Sequence, residues 1–185
     1  MRCNHVPRLI FLITSFFLFF QHLSAANNFA FFQEGNKIVF IRHALAPGSG
    51  DPTGFKIDDC ETQRNLSQKG IKQSKKIGVF FKENKIKIDQ VLTSQWCRCK
   101  DTAKYAFKNY KEFSALNSTF QSPFDKNEVN QLKELRSFVK NWSGSNLVLV
   151  THYSIITAIT NAVPSSGEIV VTDKNFNVLS TILIN

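Results

Sequence analysis

Four basic side chains fall where buried strands should end. Arg42 and His43 close the apolar run KIVFI, Arg98 follows the short strand QVLT by about one helical turn, and His152 follows LVLVT. Ligands of α/β sheets gather beyond the carboxyl ends of the strands, so these residues should converge on one edge. Grouping two arginines and two histidines away from water is costly unless an anion balances them. A phosphoryl group suits that role, because its oxygens match the arginine fork in pairs. A neutral imidazole can attack phosphorus and carry it as phosphohistidine. The second imidazole and the arginines would stabilise the charge in transfer. Side chains supply the counter-charge in this scheme, so it calls for no metal and no cofactor.

Taken singly, each residue has a plainer reading. A histidine at a strand end is often structural, and Arg98 alone would be a solvated helix charge. The Arg42–His43 pair together with Arg98 makes His43 a candidate nucleophile. Arg64 reads equally as a pocket residue or a solvated one. Ser94 reads as a helix cap, since no Gly-x-Ser-x-Gly elbow supports a nucleophilic role. Trp96 and Trp142 read as core.

The elements that must position these residues follow from apolar periodicity. Strands are expected at 37–42, 90–93 and 147–151, with a Gly/Pro-rich loop at 46–54. Helices are expected at 66–81, 96–110 and 125–142. Ser67 should cap the first, whose inward face would carry Ile71, Ser74, Gly78 and Phe81. The second should turn Thr102, Ala103, Ala106, Phe107 and Tyr110 inward. The third should do so with Val129, Leu132, Leu135, Val139 and Trp142. Ser154 should cap a short helix ending at Asn161. Strands at 168–172 and 177–184 should close the chain around a turn at 173–176. Alternating strands and helices predict a three-layer α/β sandwich, with a mostly parallel central sheet, helices on both faces and the C-terminal strand pair at the edge.

These residues resemble those of the histidine phosphatase superfamily, the phosphoglycerate-mutase-like fold. Its strand-Arg-His-Gly signature stands as IVFIRHA, with Ala44 where glycine is usual. Its Leu-Thr-x-x-Gly-x-x-Gln motif stands as LSQKGIKQ over 66–73. Its Ser-x-x-x-Arg-x-x-x-Thr-Ala motif is intact at Ser94, Arg98, Thr102 and Ala103, and the late strand-His element stands as LVLVTH. The likeness covers about 37–160. It implies that His43 is the nucleophile and that Arg42, Arg98 and His152 hold the phosphoryl group. The segments DDCETQR and SQWCRC are similar to a small exported branch acting on phosphorylated lipopolysaccharide core sugar. The family's general acid is missing from both usual places, which read Leu116-Asn117-Ser118 and Tyr153 here. Asp51, Asp59, Glu61 and Glu128 are the candidates. Asp51 comes first, because its loop follows the nucleophile.

The chain begins with Arg2 and Arg8, a nearly apolar run of about a dozen residues at 9–20, and small residues Ser24, Ala25 and Ala26. That order predicts a secretory signal peptide over 1–26. The run falls short of the roughly 20 residues of a membrane span, although Phe29, Phe31 and Phe32 would help an uncleaved anchor. No cysteine follows the run as a lipid-modified signal would need. The expected mature domain is 27–185, exported across the inner membrane to the periplasm, with no stable span after cleavage. Losing Arg2 and Arg8 and no acid takes the formal charge from +9 to +7, which suits a phosphorylated small molecule or envelope glycan. Lysines are scattered without an aromatic-interleaved stripe, so nucleic acid is not an expected partner. In an oxidising compartment Cys60 could bridge Cys97 or Cys99; three buried thiols are the alternative. The cysteine spacing is not that of a structural zinc site.

The expected function is an exported phosphomonoesterase working through phosphohistidine on His43. The alternatives are a catalytically weak phospholigand-binding regulatory protein and a phosphohistidine phosphatase.

Overall fold

In a computed structural model that describes residues 29–184, the run KIVFIR forms strand β1, Lys37–Arg42. The expected signal segment 1–26 lies outside the described residues. β1 is flanked by β4, Asn146–Thr151, in parallel and by β5, Ile169–Thr172, antiparallel. Strand β2, Gln90–Thr93, runs parallel to β4 and to the two-residue β3, Lys111–Glu112. Strand β6, Val178–Ile182, closes the far edge antiparallel to β5. The order is β3-β2-β4-β1-β5-β6, the expected mostly parallel sheet with the C-terminal pair at its edge.

Helices cover both faces, which is why the central strands are apolar at every position rather than at alternate ones. Val39, Ile41, Val148 and Val150 pack with Ile77 and Phe81 of α1, Gln68–Glu83, and Cys99 and Ala103 of α2, Cys97–Phe107. Ile38, Phe40, Leu147 and Leu149 pack with Leu135 and Val139 of α3, Glu128–Asn141, and Ile155 and Ile156 of α4, Tyr153–Thr160. Each such side chain contributes about 1.5–3 kcal/mol on full burial.

Ser67 caps α1 as expected, its hydroxyl accepting from Gly70 N. The buried stripe is Gly70, Ser74, Ile77 and Phe81, so Ile71 is only partly covered. Helix α2 stops at Phe107, where Lys108 turns to φ 68°, leaving Tyr110 beyond it. A 3-10 turn, Phe124–Asn127, replaces the expected first turn of α3, and Val129 is 78% exposed rather than inward. Trp142 caps the end of α3 and is partly buried. Helix α4 begins at Tyr153 with His152 at its N-cap position. Ser154 is therefore not the cap; its Oγ accepts from Thr119 N instead (3.2 Å). Asn161 ends α4 in the left-handed region, φ 61°. Cys60 is bonded to Cys97, with Cα atoms 5.6 Å apart, and Cys99 is a buried free thiol.

Candidate active site

The second, third and fourth motifs clamp the backbone that carries His43. His43 N donates to Thr151 O of β4 at 2.9 Å. Ala44 N donates to Thr102 Oγ1 at 3.0 Å, and Thr102 in turn donates to Arg98 O at 2.7 Å. Leu45 N donates to Gln73 Oε1 at 3.1 Å, while Ser67 N and Oγ both donate to Leu45 O. Gln73 Nε2 continues to Ser166 O and Ile184 O. Gly70 lets α1 come this close: a Cβ there would stand 2.2 Å from Leu45 O. Ala44 lies outside the residues with positive φ, so its methyl is carried without strain.

His43 is 3% exposed. Its Nδ1 lies 2.9 Å from Ala44 O. A carbonyl only accepts, so Nδ1 carries the proton and Nε2 keeps a free lone pair. Burial, followed by the charge of Arg98, holds the His43 pKa well below the ordinary histidine value. The imidazole is thus neutral at neutral pH, the form a nucleophile needs. The ring of His152 sits 5.5 Å away, centroid to centroid. Arg98 Nη2 approaches His152 Nδ1 at 3.4 Å, and His152 Nε2 lies 2.8 Å from Ser94 Oγ, which contacts Asn117 Oδ1 at 3.2 Å. Arginine can only donate, so the consistent chain runs from Arg98 through His152 and Ser94 to Asn117. Burial and then Arg98 lower the His152 pKa as well.

Ser94 is therefore a support for His152 rather than the cap of α2, whose N-cap is Trp96. Gln63 takes over part of the capping, its Oε1 accepting from Cys97 N at 3.0 Å. The Cys60–Cys97 bridge fixes the same junction covalently. Cys99 Sγ lies 3.4 Å from His152 Nε2, and burial pushes its pKa up to about 12, so it stays a thiol.

Arg42, His43, Arg64, Arg98 and His152 all line one pocket of about 100 Å³. Pockets that enclose drug-sized molecules run to about 300–1,000 Å³; this one suits a small anion whose substituent projects outward. Arg42 Nη1 donates to Pro164 O at 2.8 Å, and its guanidinium lies 5.6 Å from the Tyr153 ring centre. Arg42 Nε and Arg98 Nε are buried N–H groups with no partner. Such orphans are uncommon and expensive, and both arginines belong to the wall of the pocket in which an anion would balance their charge. Arg64 is half-buried and lines the pocket: its Nε donates to Gly50 O at 2.6 Å and its Nη1 to Ala46 O. Phe120 and Tyr153, 59% and 37% exposed, stand at the mouth. The sequence reading missed Phe120 and Gln121, which line the pocket, and Asn117, which ends the chain from His152 through Ser94.

Of the acid candidates, only Asp51 lines the pocket. Its carboxylate is engaged by Arg98, with Nη1 to Oδ1 at 2.7 Å and Nη2 to Oδ2 at 3.1 Å. Asp59 caps the 3-10 turn at Cys60–Thr62 through Glu61 N, Glu61 is exposed, and Glu128 accepts from Thr119 Oγ1. Among the described residues no group of three or more His, Cys, Asp or Glu is placed to hold a metal, and no helix is long and apolar enough to cross a membrane.

No family model matches the chain, and no curated protein does. Solved structures do. The protein TTHB049 from Thermus thermophilus superposes with a TM-score of 0.57 at 14% identity, over 80% of this chain and 99% of that one. The protein histidine phosphatase SixA, solved with tungstate, gives 0.53 at 12%, over 79% and 96%. A phosphoserine phosphatase mutant from Entamoeba histolytica, in complex with phosphoserine, gives 0.56 at 15%, over 78% and 95%. At such identities the likeness is one of fold: the chain has the α/β fold found in these histidine and phosphoserine phosphatases.

Proposed function

We propose that the protein is a phosphatase that works through a phosphohistidine on His43. The observation that carries this reading is the neutral His43, with Nδ1–H committed to Ala44 O and Nε2 free, beside two arginines whose buried Nε groups lack partners. In the proposed reaction the Nε2 lone pair attacks phosphorus. The P–O bond to the leaving group breaks, its electrons pass to that oxygen, and the oxygen takes a proton from solvent at the open mouth. Water then attacks the phosphohistidine. The P–N bond electrons return to Nε2, and the water's surplus proton leaves with the phosphate or to solvent. Arg42 and Arg98 hold the phosphoryl oxygens throughout, and His152, tied between Arg98 and Ser94, lines the pocket beside them.

We also propose export, with residues 1–26 removed and the domain residing in the periplasm. The basic, apolar and small-residue order of the N-terminus supports this, as does the Cys60–Cys97 disulfide, which suits an oxidising compartment. A phosphorylated envelope sugar is the substrate suggested by the DDCETQR and SQWCRC segments; Phe120 and Tyr153 would meet its ring at the mouth. A second reading, phosphohistidine phosphatase, is favoured by the lack of a free carboxyl in the pocket among the described residues, because a phosphoramidate leaves with less need of an acid.

The test is hydrolysis of p-nitrophenyl phosphate in EDTA by residues 27–185, beside His43→Ala. Metal-free turnover lost in His43→Ala supports the phosphatase. A folded protein that binds vanadate but turns nothing over would instead be a phospholigand-binding protein.

A further inference from the structure

Asp51 is the one carboxylate among the described residues lining the pocket, and its four lone-pair positions are all taken. Oδ1 accepts from Arg98 Nη1 at 2.7 Å and Arg64 N at 3.1 Å; Oδ2 accepts from Arg98 Nη2 at 3.1 Å and Trp96 Nε1 at 3.0 Å. Four donors and no acceptor leave no place for a carboxyl proton. The expectation that Asp51 is the general acid does not fit this geometry. The Asp51 and Arg98 side chains are 3% and 2% exposed, so they form a buried, two-pronged ion pair.

The surrounding loop is built to keep Asp51 there. Asp51 N donates to Gln121 Oε1 at 2.8 Å. Gly50 sits at φ +65°, and a Cβ there would stand 2.8 Å from the same oxygen. Arg64 holds the loop from beneath through Gly50 O and Ala46 O. Trp96, 1% exposed, packs its ring against Phe55, Phe124 and His152 while its indole N–H reaches Asp51. The consequence falls on Arg98. Both of its terminal nitrogens are drawn to Asp51, so the guanidinium cannot rotate, and the group left without a partner is Nε.

We propose that Asp51 is a positioning residue for phosphoryl transfer. It grips Arg98 end-on, fixes the guanidinium in the pocket wall where the phosphoryl oxygens would bind, and balances the arginine charge before substrate arrives. Arginine is required at the other end of this pair, since lysine offers a single point charge and no second edge. The inference rests on the phosphatase reading and names the device that orients its chief cation.

The experiment compares wild type, Asp51→Asn and Trp96→Phe on p-nitrophenyl phosphate and on an alkyl phosphate, with vanadate inhibition measured in parallel. A positioning residue serves both substrates alike. Asp51→Asn should lose the same factor in kcat/KM on each, on the order of 10–100-fold and so below the roughly 100–1,000-fold of a lost transition-state donor, and vanadate should inhibit it less. Asp51→Glu, which keeps the charge, should recover part of that loss. Trp96→Phe removes one donor to Asp51 and should show a smaller, equally uniform loss, which keeps the test open if Asp51→Asn does not fold. A loss confined to the alkyl phosphate would make Asp51 the proton donor and overturn the proposal. Unchanged kinetics in both variants, or tighter vanadate inhibition in Asp51→Asn, would also overturn it, the latter because Asp51 would then be only a competitor for Arg98. A wild type inactive on both substrates would overturn the phosphatase reading, and it shows before any Asp51 variant is examined.

Discussion

Two glycines of α1 separate the stability of the fold from the alignment of its site. Adding a methyl to a helix glycine ordinarily gains about 1 kcal/mol through propensity. At Gly70 the new Cβ would stand 2.2 Å from Leu45 O, and at Gly78 it would stand 2.3 Å from Ala106 O. Both obstacles are backbone, so neither can swing aside. Overpacking of this kind costs about 1–3 kcal/mol, and a direct backbone clash belongs at the upper end. The net loss is about 2 kcal/mol for either variant, which in a domain of this size lowers Tm by about 4–8 °C. The two should part company in turnover. Leu45 is two residues from His43, accepts from Ser67 and donates to Gln73, whereas Ala106 lies near the far end of α2. Gly70→Ala should therefore lose activity well beyond its loss of stability, and Gly78→Ala should keep kcat at 25 °C. Differential scanning fluorimetry and p-nitrophenyl phosphate kinetics on both proteins decide the matter. Equal kcat in the two variants would refute the clamp that Gly70 is argued to permit.

Other consequences can be measured on the same protein. Both pocket histidines are held neutral in the fold, with pKa values below the unfolded value of about 6.5. The unfolded chain then binds more protons than the native one as pH falls through 6.5 and below, so stability present above about pH 6.5 is lost on acidification. Urea unfolding at pH 7.5 and 5.5 should show the drop, and His152→Gln should reduce it; an equal drop in the variant would discount His152. The Cys60–Cys97 bridge spans 37 residues of sequence, and the chain-entropy relation assigns such a loop about 3–4 kcal/mol. Reduction, or the paired change to serine, should lower Tm and weaken turnover through the α2 junction, and an unchanged Tm would contradict this. Thr102→Val orphans the buried Ala44 N–H and should cost about 1–3 kcal/mol. Ser74→Ala, whose hydroxyl serves only Gly70 O, should cost less in the same melting experiment.

The sheet was legible because its central strands have to be apolar throughout. KIVFIR, QVLT and LVLVT announce β1, β2 and β4, with bounds that agree closely with the structure. The strand-end rule brought Arg42, His43, Arg98 and His152 together for the same reason. Helix faces were less legible where a neighbour overrode periodicity. Val129 has the right phase for burial, but the 3-10 turn at Phe124–Asn127 leaves it in solvent. The two-residue β3 carries too few residues to show a pattern. Within the site, Ser67, Gln73 and Thr102 were visible as motif letters, but their task of holding the 43–45 backbone was not. The Asp51–Arg98 pair joins residues 47 apart through a loop without periodicity. The one available signal was the cluster of Gly48, Gly50 and Gly54, all at positive φ, which marks a tightly folded loop beside His43.

The most direct measurement is to mix the protein with p-nitrophenyl phosphate, quench within one turnover under alkaline denaturing conditions, and locate the phosphoryl group by peptide mass spectrometry. The proposed mechanism predicts a transient phosphoenzyme on His43 that is absent from His43→Ala. Undiminished turnover with no phosphoenzyme, or with the phosphoryl group on any other residue, would contradict it.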